Sequence, residues 1–187
     1  MNIAGVDYES VNDGEGVRTV IYISGCSHNC PMCHNPQTHN LSYGTPFTEK
    51  LQNEVFENIK KRPFISGITL SGGDPLYESN LQDVLNLVNK IRLLLPDKTI
   101  WLYSGYTWEE IWGYNTSGTD LYGKTWRGWT IDRCCRQDIL RQCDIFVDGR
   151  YIDSLRDVTL EWRGSANQRV IDCRRSINEN NIILYTD

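Results

Sequence analysis

No run of about 18 consecutive apolar residues occurs in the 187-residue chain, so no bilayer-spanning helix is predicted. The N-terminus, MNIAGVDYES, has no basic region followed by an apolar stretch and is not read as a secretory signal. Repeats, low-complexity tracts and linker-like segments are missing too, so a single domain over residues 1–187 is expected. Positive charge is not in excess. A formal net charge of −5 argues against a broad electrostatic footprint for nucleic acid. The densest basic patch, Lys60-Lys61-Arg62, falls at the end of a predicted helix, where cations favour the helix dipole. With 40% hydrophobic and 23% charged residues, the balance is that of a globular chain rather than a disordered one. A soluble cytoplasmic protein is the simplest reading.

An even, disulfide-forming cysteine set is also absent. The chain has seven cysteines, which in a reducing compartment more often bind metal or do chemistry than cross-link. Cys26, Cys30 and Cys33 lie within eight residues, and Cys134, Cys135, Cys143 and Cys173 are scattered downstream.

What is present is an alternation of strand and helix signals. Residues 17–24 (VRTVIYIS) form a nearly continuous apolar, β-branched run, the pattern of a strand buried on both faces. From Thr48, a plausible N-cap, to about Arg62, apolar residues Leu51, Val55, Phe56 and Ile59 recur at helical spacing. Residues 67–71 make a short strand that ends at Gly72-Gly73-Asp74-Pro75. A second helix runs from about Asn80 to Leu95 and is stopped by Pro96. Strand 99–104 leads to Gly105, and a helix follows with Thr107 and Glu110 placed as a capping box. Residues 113–130 lack periodicity and read as a long loop. A short helix near 136–142 precedes strand 144–148, and strands are expected at 169–172 and near 181–185.

This alternation implies an α/β fold with a mostly parallel sheet and right-handed crossovers. In such sheets ligands sit at the carboxyl ends of the strands. The cysteine loop, the Gly72–Pro75 turn, Ser104-Gly105 and Asp148-Gly149 all lie just past predicted strands, so four unusual segments converge on one edge.

The spacing Cys26-x3-Cys30-x2-Cys33 supplies soft thiolates, which select zinc, copper(I) or iron–sulfur clusters. A structural zinc site closes with four ligands, and His28, His34 or His39 is near enough to be the fourth. A cubane on three cysteines leaves one iron open to a small molecule. On spacing alone the two readings stand level. The Gly72-Gly73-Asp74-Pro75 turn adds glycines that let backbone approach a ligand, and a carboxylate suited to an ammonium group. The same composition also makes a plain turn.

Six segments in order, from the Asp13–Thr19 stretch DGEGVRT through SGCSHNCPMCHN, TLSGGDPL, IWLYSGYTWEE and DIFVDGRY to WRGSANQRVID, resemble the radical S-adenosylmethionine (SAM) superfamily. Within it they are most similar to the activating proteins of anaerobic ribonucleoside-triphosphate reductases. The resemblance implies a partial (β/α) barrel with its active site at the strand C-terminal ends. It implies a [4Fe–4S] cluster on Cys26, Cys30 and Cys33, with SAM chelated to the open iron. A one-electron donor such as a flavodoxin would reduce the cluster. Cleaved SAM would then generate a glycyl radical on the large catalytic subunit of the reductase. By position, Gly72, Gly73 and Asp74 would hold the methionine amino group, and Met32, Cys33 and His34 would meet SAM near the adenine. Ser104 and Asp148 are further pocket candidates. Residues 163–169 would form an active-site wall or partner surface.

Arg18 is read either as reaching the cluster edge or the SAM carboxylate, or as pairing with one of the chain's acids. Residues 113–143 form a stretch longer than the family usually carries. Tyr114, Tyr122, Trp126 and Trp129 there would pack together or anchor an interface. Adjacent Cys134 and Cys135 cannot easily both face one ion.

Overall fold

A computed structural model describes residues 1–113, 118–119, 125–126 and 131–186. Its strands are β1 (Asn2–Ser10), β2 (Val17–Ile23), β3 (Thr45–Pro46), β4 (Ile65–Gly72) and β5 (Thr99–Tyr103), followed by β6 (Gly118–Thr119), β7 (Thr125–Trp126), β8 (Ile145–Asp148) and β9 (Arg169–Asp172). Helices α1 (Glu49–Lys60), α2 (Leu81–Leu94), α3 (Trp108–Trp112), α4 (Ile131–Gln142) and α5 (Cys173–Glu179) complete it. Among the described residues no helix is long and apolar enough to cross a membrane.

Seven strands form one sheet in the order β3-β1-β2-β4-β5-β8-β9. The inner four are parallel, whereas β1, β3 and β9 pair antiparallel. The sheet is therefore mixed, parallel at its centre and antiparallel at both edges, where the alternation had pointed to a mostly parallel one. Strand β1 gave little signal because Gly5, Asp7, Glu9 and Ser10 are poor strand formers, and pairing with β2 decides its conformation.

Side chains alternate across the sheet. Ile21, Ile23, Ile68, Leu70, Ile100, Leu102 and Phe146 face a core to which all five helices contribute, among them Val55, Val84, Ile111, Ile139 and Cys173. The alternate residues Trp101, Ile145, Val147 and Val170 make a smaller cluster on the other face, with Tyr103 and Trp162. One face thus carries the helices and the other is left for short segments.

Local signals set the helix starts. The Thr48 side chain accepts from the Leu51 N–H, and Thr107 and Glu110 complete the capping box. Helix α4 begins at Ile131, earlier than the expected 136–142. The C-terminal region differs more. Asp172 caps α5, Asn180 ends it in the left-handed conformation, and residues 181–185 return only one bridge, Leu184 to Ile171. The predicted loop at 113–130 and its Tyr114, Tyr122, Trp126 and Trp129 lie outside the described residues, apart from the backbone ladder of β6 with β7.

Candidate active site

The four segments past β2, β4, β5 and β8 do meet, and their contacts are specific. Leaving β2, the chain turns at Gly25 (φ 105°), whose N–H donates to Thr38 O at 2.7 Å. Two non-glycine residues of the loop, Asn29 and Met32, hold left-handed φ values of 50° and 56°. The Cys33 N–H donates to Cys30 O at 3.2 Å and closes the second half of the loop.

All three thiols are partly exposed and unbridged. Burial, then the charge of Asp74, pushes Cys26 up to about 12, against backbone N–H donors of His28 and Asn29. Cys30 is also raised, by burial first, and the Tyr151 N–H donates to its sulfur. Such donors are what stabilise a bound thiolate and tune a cluster.

The end of β4 packs against this loop. Gly73 N–H donates to Ile23 O at 2.7 Å, and Asp74 N–H donates to Gly25 O at 2.8 Å. A Cβ on Gly72 (φ 107°) would stand 2.6 Å from Ile23 O, and one on Gly73 2.6 Å from Gly25 O. Gly72 thus permits close approach to the end of β2, and Gly73 to the cysteine loop itself. Asp74 is 1% exposed. Its Oδ1 accepts from Ser104 Oγ at 2.8 Å and from Leu76 N–H at 2.8 Å, and its Oδ2 from Gly105 N–H at 3.0 Å. The carboxylate expected to face a ligand is enclosed by its own chain.

His28 completes the enclosure. Its Nε2 lies 2.7 Å from Asp74 Oδ2, out of line for a hydrogen bond, and Nδ1 accepts from Arg150 Nε at 3.0 Å. Tyr106 meets the ring edge-on at 4.7 Å. Arg150 belongs to the turn after β8, and that turn is braced from behind. Asn167 Nδ2 donates to Arg150 O at 2.8 Å, and Gln168 Nε2 to Gly149 O at 2.9 Å. Residues 163–169 thus act on the site through the Gly149–Tyr151 turn. The signal missed in the sequence was His28 itself, read there only as a zinc ligand.

The other expected residues are placed differently. Met32, 76% exposed, and the exposed His34 stand outside the enclosure, beside Cys33. Asp148 is buried and accepts from Trp108 N–H at 2.8 Å and from Arg169, so it ties β8 to α3 and β9. Arg18 lies at the opposite end of the strands. Fully buried, it donates to Thr69 Oγ1, Glu15 O, Thr99 Oγ1, Ile68 O and Thr99 O. It does not reach the cysteine end, and among the described residues it pairs with no carboxylate.

Among the described residues no three His, Cys, Asp or Glu side chains converge on one metal ion. Of the three histidines that could complete a Cys3His zinc site, His28 is held by Asp74 and Arg150. A cluster would place each thiolate on a separate iron, and the N–H donors at the sulfurs of Cys26 and Cys30 fit such a group. Cys134 and Cys135 sit on α4, and Cys143 and Cys173 are buried in the helical core.

Residues 12–171 match the 4Fe-4S single cluster domain family. The anaerobic ribonucleoside-triphosphate reductase-activating protein of Escherichia coli (strain K12) is 33% identical over 159 residues, covering 84% of this chain and 90% of that protein. Its counterpart from Vibrio cholerae serotype O1 is 36% identical over 159 residues, covering 84% and 89%. That of Enterobacteria phage T4 is 34% identical over 158 residues, covering 84% and 85%.

Proposed function

The chain belongs to the 4Fe-4S single cluster domain family and to the anaerobic ribonucleoside-triphosphate reductase-activating proteins, and from that membership we propose that it is a radical SAM activase of such a reductase. The observation that carries this reading is the Cys26, Cys30 and Cys33 loop, with N–H donors at the sulfurs of Cys26 and Cys30 and with His28 held by Asp74 and Arg150. Three thiolates would hold three irons and leave the fourth for SAM. When bound, such a cluster would supply one-electron reductive cleavage of SAM, with the electron coming from an external donor such as a flavodoxin, for hydrogen-atom abstraction from a reductase glycine.

The chain's own part is to bind and to position. The strand end at Gly72 and Gly73 would take the methionine amino group, with the Asp74 carboxylate behind it as countercharge. Met32 and His34, exposed beside Cys33, offer an apolar and a flat surface to the adenine. The one-sided helix layer supports reading the sheet as a partial (β/α) barrel. The test is anaerobic incubation of the reduced, cluster-loaded protein with SAM and the large reductase subunit. A glycyl doublet in the EPR spectrum of that subunit is expected. An intact cluster and SAM cleavage without the doublet would overturn the reading.

A further inference from the structure

We propose that His28 is a positioning residue, a latch that fixes the cysteine loop against the ends of β4, β5 and β8 in the arrangement the cluster requires. The inference rests on the reading that Cys26, Cys30 and Cys33 hold a cluster. His28 lies between Cys26 and Cys30, and its side chain is 5% exposed although the loop around it is open.

Each side of the ring is occupied by a different strand end. Asp74, past β4, meets Nε2 at 2.7 Å, and Arg150, past β8, donates to Nδ1 at 3.0 Å. Past β5, Tyr106 packs edge-on, and Gly105 leaves the ring its seat. A Cβ there would stand 2.2 Å from His28 Cδ2 and 2.6 Å from Nε2.

The consequence is mechanical. Cys26 is tethered to β2 by the chain, but Cys30 and Cys33 lie beyond it in a loop with two left-handed residues. His28 is the side chain that carries the anchoring of Asp74 and Arg150 into that loop. Asn167 and Gln168, bonded to the Arg150 and Gly149 carbonyls, extend the brace one layer further. Segments separated by 122 residues therefore share one task.

Gly105 makes the idea testable by non-additivity, because Gly105→Ala evicts a ring that His28→Ala removes. The full-length protein is reconstituted anaerobically as wild type, His28→Ala, His28→Gln, Gly105→Ala and the His28→Ala/Gly105→Ala double variant. Iron retention against a chelator, the EPR line shape of the reduced cluster and the thermal midpoint of the cluster-free chain are measured. His28→Ala and Gly105→Ala are each expected to lower apparent iron affinity about tenfold, the lower end of what loss of an outer-shell partner costs. Both should alter the line shape. The double variant should be no worse than His28→Ala, and His28→Gln should recover part of the loss. Wild-type retention and line shape in His28→Ala, or a Gly105→Ala cost that is the same with and without His28, would overturn the proposal. Should His28→Ala fail to fold, Gly105→Ala and His28→Gln decide it, and wild-type behaviour in both overturns it. A wild-type protein that takes up no iron would instead remove the cluster reading itself.

Discussion

Arg18 lies 5.2 Å from the centroid of the Trp101 ring and, although it is fully buried, has no carboxylate partner among the described residues. Burial lowers its guanidinium from 12.5 to about 10. Neutral oxygens from β4, β5 and the Asp13–Gly16 turn take its hydrogen bonds, so it ties that turn to the sheet. Arg18→Met is expected to lower stability by at least about 2 kcal/mol, since one buried acceptor left without a donor costs roughly 1–3 kcal/mol. Arg18→Lys should recover little, because an ammonium has three donors where the guanidinium uses five. Thermal unfolding gives the first number. Iron per folded chain should be unchanged, and its loss without a change in midpoint would return Arg18 to the cluster site.

Gly73→Ala tests the contact between β4 and the cysteine loop. The added methyl would stand 2.6 Å from Gly25 O and 2.8 Å from Thr38 O, both backbone atoms. The loop must move or the strand end must. Overpacking of this kind costs about 1–3 kcal/mol. Reconstituted iron content should fall by more than the stability loss explains, because the displaced segment carries Cys26. A variant with full iron content and a lowered midpoint would make Gly73 a folding residue only.

Alkaline pH separates the folded from the unfolded chain at Tyr22. Burial, then the charges of Asp13 and Asp7, raises its hydroxyl from 10.0 to about 12. Between those values the unfolded chain gives up a proton that the folded chain keeps. Stability from this group is therefore complete below about pH 10 and is lost as pH rises through about 12. Thermal midpoints across this range should fall, and Tyr22→Phe should make the fall shallower. Burial also raises Tyr103 and Cys143, so a residual slope is expected in the variant. An unchanged slope would place Tyr22 outside the linkage.

The starts of α1 and α3 were legible because the capping residues Thr48, Thr107 and Glu110 act within one turn of chain. The meeting of the strand-end segments was legible from topology, since successive parallel strands end on the same side. Helix α5 had local signals in Asp172 and Asn180, but the apolar run at 181–185 drew attention as a strand. The enclosure of Asp74 was not legible, because its partners Ser104 and His28 are distant in sequence and Gly105 matters only for lacking a Cβ. Arg18 misled for a related reason: a lone arginine in a strand suggests an acid or a ligand, and here carbonyl and hydroxyl oxygens from two strands and a turn suffice.

The seven cysteines should divide sharply when each is replaced in turn. Cys26→Ser, Cys30→Ser and Cys33→Ser are expected to abolish the broad brown absorption of the reconstituted protein, because each would remove one of only three thiolates. Cys134→Ala and Cys135→Ala should leave iron content unchanged, since the two lie on α4 and converge with no metal-ligating set among the described residues. Cys143→Ala and Cys173→Ala should also keep the iron while lowering the midpoint. Both side chains are buried in the helical core, and burial raises both thiols, so they behave there as small apolar groups. Iron analysis beside thermal unfolding distinguishes the classes. Loss of iron on replacing Cys134 or Cys135 would reveal a second metal site on α4, and retention of the cluster in Cys30→Ser would bring back a histidine as ligand, with His34 the exposed candidate.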